Sequence, residues 1–172
     1  MRLATPIAKY WNCKRQPGFV YEALECHGGA GFIEEGVMAR YFRASPLNAI
    51  WEGSGNVIAL DVLRAVGREP DCLEAVVGDI MKAQGANGHY DRHAKRLTEW
   101  LEPGALNESS ARAFAEDMGL ALQGAALYGV APDYVFDAYC NTRLDPEARS
   151  YGYGATEATY DVDALIARAA PF

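Results

Sequence analysis

The chain has 172 residues, half of them apolar or aromatic, and a formal charge of -7. That suffices for one packed domain with or without a small appendage, whereas no apolar stretch approaches the roughly 20 residues that cross a bilayer, and the start Met1-Arg2-Leu3-Ala4-Thr5-Pro6 lacks the apolar core of a secretory signal, which predicts a cytoplasmic protein without membrane contact. Residues 1–66 carry seven basic against six acidic side chains and the remainder nine against seventeen, so the second half repels a phosphate backbone unless its few arginines share one face.

Thr5-Pro6 reads as a helix start, with Thr as N-cap and Pro at the first helical position, and Gln16-Pro17-Gly18 reads as its interruption. A second helix is predicted from about Phe19, with Val20, Ala23 and Leu24 on one face, stopping at Gly28-Gly29. Glu34 to Phe42 fits a short amphipathic helix that Ser45-Pro46 ends, because the residue before proline is pushed out of the helical region. Ser54 is a good N-cap for a helix carrying Val57, Leu60, Asp61, Leu63 and Arg64, with Gly67 as its stop and Pro70 beyond it.

Two further helices are expected over Asp71 to Lys82 and His89 to Leu101, around a loop at Gly85-Ala86-Asn87-Gly88. The Ala- and Leu-rich stretch from about Glu108 to Tyr128 places Phe114, Met118, Leu122 and Ala125 at three-to-four spacing, the mark of a buried helix. Asp133 to Thr142 and Asp161 to Ala169 complete the series, the last in a tail expected to be loosely attached. No alternating pattern predicts a strand, so the class is all-α: a helical bundle divided as 1–67, an extension over 68–145, and the tail 146–172.

Cys13, Cys26, Cys72 and Cys140 form no close pair, and His89 and His93 are the single i, i+4 histidine pair, set among charged residues as on a solvated helix face. Neither a disulfide framework nor a metal site is expected. Two glycine-rich spots remain. Glu25-Cys26-His27-Gly28-Gly29-Ala30-Gly31-Phe32 brings backbone close to another group, or is simply a helix C-cap with a tight turn. Ile50-Trp51-Glu52-Gly53-Ser54-Gly55-Asn56 sets a carboxylate beside an aromatic ring at a helix start. There Glu52 is a general base if burial lifts its pKa, or a first-turn acid favoured by the helix dipole.

In this order and spacing, Glu25 to Phe32, Tyr41-Phe42-Arg43 and Ile50 to Asn56 together resemble the C-terminal region of the acyl-CoA dehydrogenases. Lys9-Tyr10-Trp11, Cys13-Lys14-Arg15, Glu25-Cys26 and Trp51 to Asn56 running into Leu60 to Arg64 resemble the AidB-like branch associated with the response to alkylating agents. Ala121-Leu122-Gln123 and Asp137-Ala138-Tyr139-Cys140 to Arg143-Leu144 resemble that branch's C-terminal extension, so the resemblance covers roughly residues 2–144.

The resemblance implies a flavoprotein in which Glu52 removes the α-proton of an acyl-CoA thioester while the β-hydride passes to FAD. It also implies cofactor contacts at Trp51, Ser54, Gly55 and Asn56, and at Gly28 and Gly29 against the FAD of a neighbouring subunit, hence a homo-oligomer. His27 and Glu25 depart from the straight-chain enzymes. The N-terminal helical and central β-domains of that family are not represented in the 172 residues, which reads as a fragment, a misplaced gene start, a split gene or a degenerate remnant. Two other readings compete: DNA binding through Arg92, Lys95, Arg96, Arg112, Arg143 and Arg149, and a purely structural module that dimerises through apolar faces. An exposed patch around Trp11, Phe32, Phe42 and Trp51 would mark a missing partner surface.

Overall fold

A computed structural model describes residues 2–148, 153–154 and 160–170, and among these the chain is helical with no strand. The first helix, α1, runs unbroken from Ala4–Cys26, through Pro17. This corrects the expected break at Gln16-Pro17-Gly18. An interior proline removes one backbone hydrogen bond and costs about 3 kcal/mol. Here the helix is held by packing: its first half buries Pro6, Ile7 and Tyr10 behind the buried N-cap Leu3, and it is flanked by five other helical elements.

A single turn, α2 (Gly29–Phe32), follows the glycine pair where the sequence pattern shows only a stop, and α3 (Val37–Ala44) leads into a 3-10 turn over Ser45–Ala49. Pro46 thus starts the next turn as well as ending the last. Helix α4 (Gly55–Arg68) places Ala59, Val62 and Ala65 on its buried face, against α1 and α7 (Ala111–Leu127). Helices α5 (Pro70–Met81), α6 (Gly88–Trp100) and α8 (Asp133–Arg143) complete the body, with α9 (Val162–Ala169) beyond it. The expected boundaries hold to within a few residues. Of the tail expected to be loose, 146–172, residues 149–152, 155–159 and 171–172 lie outside the described residues.

Helix α7 is the centre. Phe114, Ala115, Met118 and Ala121 are fully buried and meet residues from α1, α4, α5, α6 and α8. Small residues set the distances: a Cβ on Gly119 would stand 2.9 Å from Trp11, and one on Gly124 would stand 2.6 Å from the Tyr90 ring. The Tyr90 hydroxyl, fully buried, lies 2.9 Å from the Ile80 carbonyl and 3.1 Å from that of Ala121, and its one proton serves either. The Tyr139 hydroxyl donates to the Leu120 carbonyl at 2.7 Å.

His93 is buried, which corrects the solvated-face reading of that histidine. Its Nε2 meets the Asp117 carbonyl at 2.8 Å, while the Asp117 carboxylate accepts from Trp100 Nε1 at 2.7 Å and pairs with Arg96 at 3.0 Å. A carboxylate inside a small domain is tolerated because every strong partner is present.

Candidate active site

Glu52 lies in the turn between the 3-10 segment and α4, with a backbone φ of 52°, and Gly53 follows at 107°. A side chain in the left-handed region costs roughly 1–2 kcal/mol relative to the ordinary helical basin. The turn is held from α1. Lys9 Nζ donates to the carbonyls of Trp51, at 2.8 Å, and Gly53, at 2.7 Å, on either side of Glu52. A second tie runs from Trp51 Nε1 to Asn48 Oδ1 at 3.0 Å, and from Asn48 Nδ2 to Gln16 Oε1 at 2.9 Å.

Glu52 borders an open groove of about 480 Å³ lined also by Lys9, Ile58, and the pair Arg2 and Asp61. Arg2 donates to both Asp61 oxygens, at 2.9 and 3.1 Å, and this hydrogen bonding holds the Asp61 carboxyl below its usual range against a smaller opposing effect of partial burial. The Glu52 side chain itself is exposed. The burial that a general base requires is therefore not supplied by the described residues.

The remaining residues of the motif divide. Trp51 is 55% exposed, and Ser54 occupies the N-cap position of α4 without a side-chain capping bond. Asn56 Oδ1 accepts from Arg112 Nη1 at 2.8 Å. Beside Gly55 lies the end of the Lys14 side chain: a Cβ there would fall 2.4 Å from Lys14 Cε, a flexible chain end that can move aside. Gly28 and Gly29 differ in kind. Gly28 has φ 57°, and a Cβ built on either glycine meets nothing within 4 Å, so the backbone there is open. The close glycine in that segment is Gly31, whose Cβ would stand 2.3 Å from the Leu24 carbonyl oxygen.

The two groups of site residues are not brought together. Lys9, beneath Glu52, and Cys26, beside the glycine pair, are separated by roughly 25 Å of α1 at about 1.5 Å per residue. Three of the basic residues considered for DNA meet separate local partners. Arg96 pairs with Asp117, Arg112 bonds Asn56, Arg92 meets His89 Nδ1 at 2.7 Å, and Arg149 lies outside the described residues. No group of three metal-ligating side chains occurs among the described residues. The Lys9 clamp was invisible in the sequence, because a lysine on a helix carries no mark of two carbonyls 42 and 44 residues away.

The model of the acyl-CoA dehydrogenase C-terminal domain matches residues 1–67. The chain belongs to the acyl-CoA dehydrogenase family. It is 36% identical over 144 residues to AidB of Escherichia coli (strain K12), a match that takes in 84% of this chain and 26% of AidB. It is 32% identical over 102 residues to acyl-CoA dehydrogenase family member 11 of Caenorhabditis elegans, covering 59% of this chain and 16% of that protein. Among solved structures, one titled Bd2924 apo-form superposes with a TM-score of 0.62 at 30% identity, over 73% of this chain and 24% of that one. The chain thus spans about a quarter of AidB, and the match to AidB runs well past residue 67 into the later helices.

Proposed function

We propose that this chain forms the base-bearing wall of a flavin site in an acyl-CoA dehydrogenase-type oxidoreductase related to AidB. The observation that carries the reading is the Glu52 turn: a carboxylate held in a left-handed conformation that glycine would adopt freely, clamped on both sides by Lys9. Backbone strain kept in place by dedicated partners is a mark of a functional position.

In this reading Glu52 accepts the α-proton of an acyl-CoA thioester seated in the groove, and Lys9 fixes the direction of the carboxylate. Trp51, Ser54, Gly55 and Asn56 form the nearby cofactor edge, Gly55 through its backbone beside the Lys14 chain end. FAD, when bound, supplies the acceptor for the β-hydride. Gly28 and Gly29 face a second cofactor, that of a neighbouring copy, which suits their distance from Glu52 and requires a homo-oligomer. A link to alkylation damage follows from the likeness to AidB.

The exposed aromatic and aliphatic side chains support assembly with further protein. Phe32 is 78%, Ile50 65% and Trp51 55% exposed, and Phe42 joins them, whereas Trp11 is half-buried against Gly119 and donates to Gln123. Monomers rarely leave so many large apolar side chains in water. The test is FAD titration followed by flavin fluorescence, with sedimentation of the same sample. Flavin travelling with an oligomer supports the reading. In a flavin-loaded assembly, α-proton exchange from an acyl-CoA that survives Glu52→Gln would remove Glu52 from the base role.

A further inference from the structure

Further along α1 than the Glu52 groove lies a cleft of about 670 Å³ between α1, α7, α8, Asn48 and Tyr153, sharing no lining residue with that groove. Two guanidinium groups converge on it. Arg15 lies 5.5 Å from the centre of the Tyr153 ring and Arg143 lies 5.3 Å from it, so the ring is a shared neighbour of both cations. Arg15 also lies 5.1 Å from the centre of the Trp11 ring, and its Nη2 reaches the Tyr153 hydroxyl at 3.4 Å.

Among the described residues neither arginine has a carboxylate within ion-pair distance. In a chain with 23 acidic against 16 basic side chains, two neighbouring arginines without an acid among the described residues stand out. Arg143 is half-buried, and burial first, then the positive charge of Arg15, holds its guanidinium below the usual range. Like charges brought together in partial burial repel, and an anion between them relieves both costs. The planar forks of two arginines fit the oxygens of a phosphate group. Trp11, Phe19 and Tyr153 line the same cleft with ring surface, and its volume falls in the range of small-molecule sites.

We propose that this cleft binds a small phosphate-bearing ligand with a planar ring, the phosphate between Arg15 and Arg143 and the ring against the aromatic wall. Roughly 16 Å of helix separates Arg15 from Cys26 at the glycine pair, and the cleft shares no lining residue with the Glu52 groove, although Asn48 and Gln16, which tie Trp51, form part of its wall.

The test uses the full chain and three probes at matched ionic strength: phenyl phosphate, inorganic phosphate and chloride, followed by calorimetric titration and thermal melting. Phenyl phosphate is expected to bind at least tenfold more tightly than inorganic phosphate, and both are expected to raise the melting temperature where chloride does not. Arg143→Gln and, separately, Arg15→Gln are expected to weaken phenyl phosphate binding at least tenfold, while Arg68→Gln, an exposed arginine at the end of α4, leaves it unchanged. Two variants guard against one failing to fold. Phosphates that behave as chloride does, or binding that survives both cleft substitutions, would overturn the proposal. Equal affinity for the two phosphates would overturn its ring half. None of these outcomes depends on flavin binding or on Glu52.

Discussion

Lys9 Nζ spans the Glu52 turn, donating to the Trp51 carbonyl at 2.8 Å and to the Gly53 carbonyl at 2.7 Å. Hydrogen bonds from a charged donor contribute about 1.5–3 kcal/mol when shielded and less at a wet surface, which is comparable to the cost of the left-handed residue they enclose. Lys9→Met is therefore expected to lower stability by about 1–2 kcal/mol and to free the turn. Urea unfolding checks the first effect; faster hydrogen exchange of the Glu52 and Gly53 amides checks the second. A melting curve and exchange pattern identical to the wild type would show that the clamp holds nothing.

The Glu52 backbone makes a second, opposite prediction. Glycine reaches φ 52° without steric penalty, so Glu52→Gly is expected to match or exceed the wild type in stability, within about 1 kcal/mol after glycine's greater unfolded entropy is offset. The same change should abolish α-proton exchange in a flavin-loaded assembly. Stability kept or gained while chemistry is lost would identify a residue retained for its side chain. A clear loss of stability would mean that the carboxylate serves the fold.

Most of the helical architecture was legible in the sequence because its punctuation is local. Ser54 marks the start of α4, Thr5-Pro6 marks that of α1 to within two residues although Leu3 and not Thr5 is its N-cap, and the three-to-four spacing of Phe114, Met118 and Leu122 marks the central helix. The break at Pro17 was misread because the packing that carries α1 past a proline comes from α3, α4, α7 and the 3-10 segment, all distant in sequence. Burial of His93 was missed for the same kind of reason: its partner is the Asp117 carbonyl, 24 residues on. The Glu52 motif was legible as a pattern of residue types, but not its left-handed backbone, its exposure, or the Lys14 chain end beside Gly55.

Glycines in one motif divide into those the fold needs and those it leaves open, and substitution should separate them. A Cβ on Gly31 would collide with the Leu24 carbonyl oxygen at 2.3 Å and crowd His27 Cβ at 3.0 Å, and a backbone carbonyl has no flexible end to yield. Gly31→Ala is expected to cost about 2–3 kcal/mol, in the range of other overpacked positions. Gly29→Ala meets nothing within 4 Å and should leave the melting temperature within about 2 °C of the wild type. If Gly29 faces a cofactor, the same alanine lowers FAD affinity in the assembled protein. Equal stability effects at the two positions would contradict the packing described here.

The buried groups beside α7 set the alkaline limit of the fold. Burial pushes the Cys140 thiol up to about 12, with smaller contributions from Asp137 and Asp91, and burial likewise raises the Tyr90 and Tyr139 phenols. A group whose proton is held more tightly in the folded state contributes stability that is full below its unfolded value. That contribution is lost as pH rises from the unfolded value through the folded one. With unfolded values of about 8.5 for the thiol and about 10 for the phenols, stability is expected to be flat below about pH 8 with respect to these groups and to fall steadily above it. Cys140→Ala should remove the earliest part of that decline, because the phenols begin to contribute only near pH 10. The measurement is urea unfolding at half-unit steps from pH 7 to pH 11. Alkylation gives a parallel readout: exposed Cys26 should react with iodoacetamide in the native protein while buried Cys140 reacts only on unfolding. Native labelling of Cys140 at the rate of Cys26, or an alkaline limb unchanged by Cys140→Ala, would show that α8 opens far more readily than its packing against α7 implies.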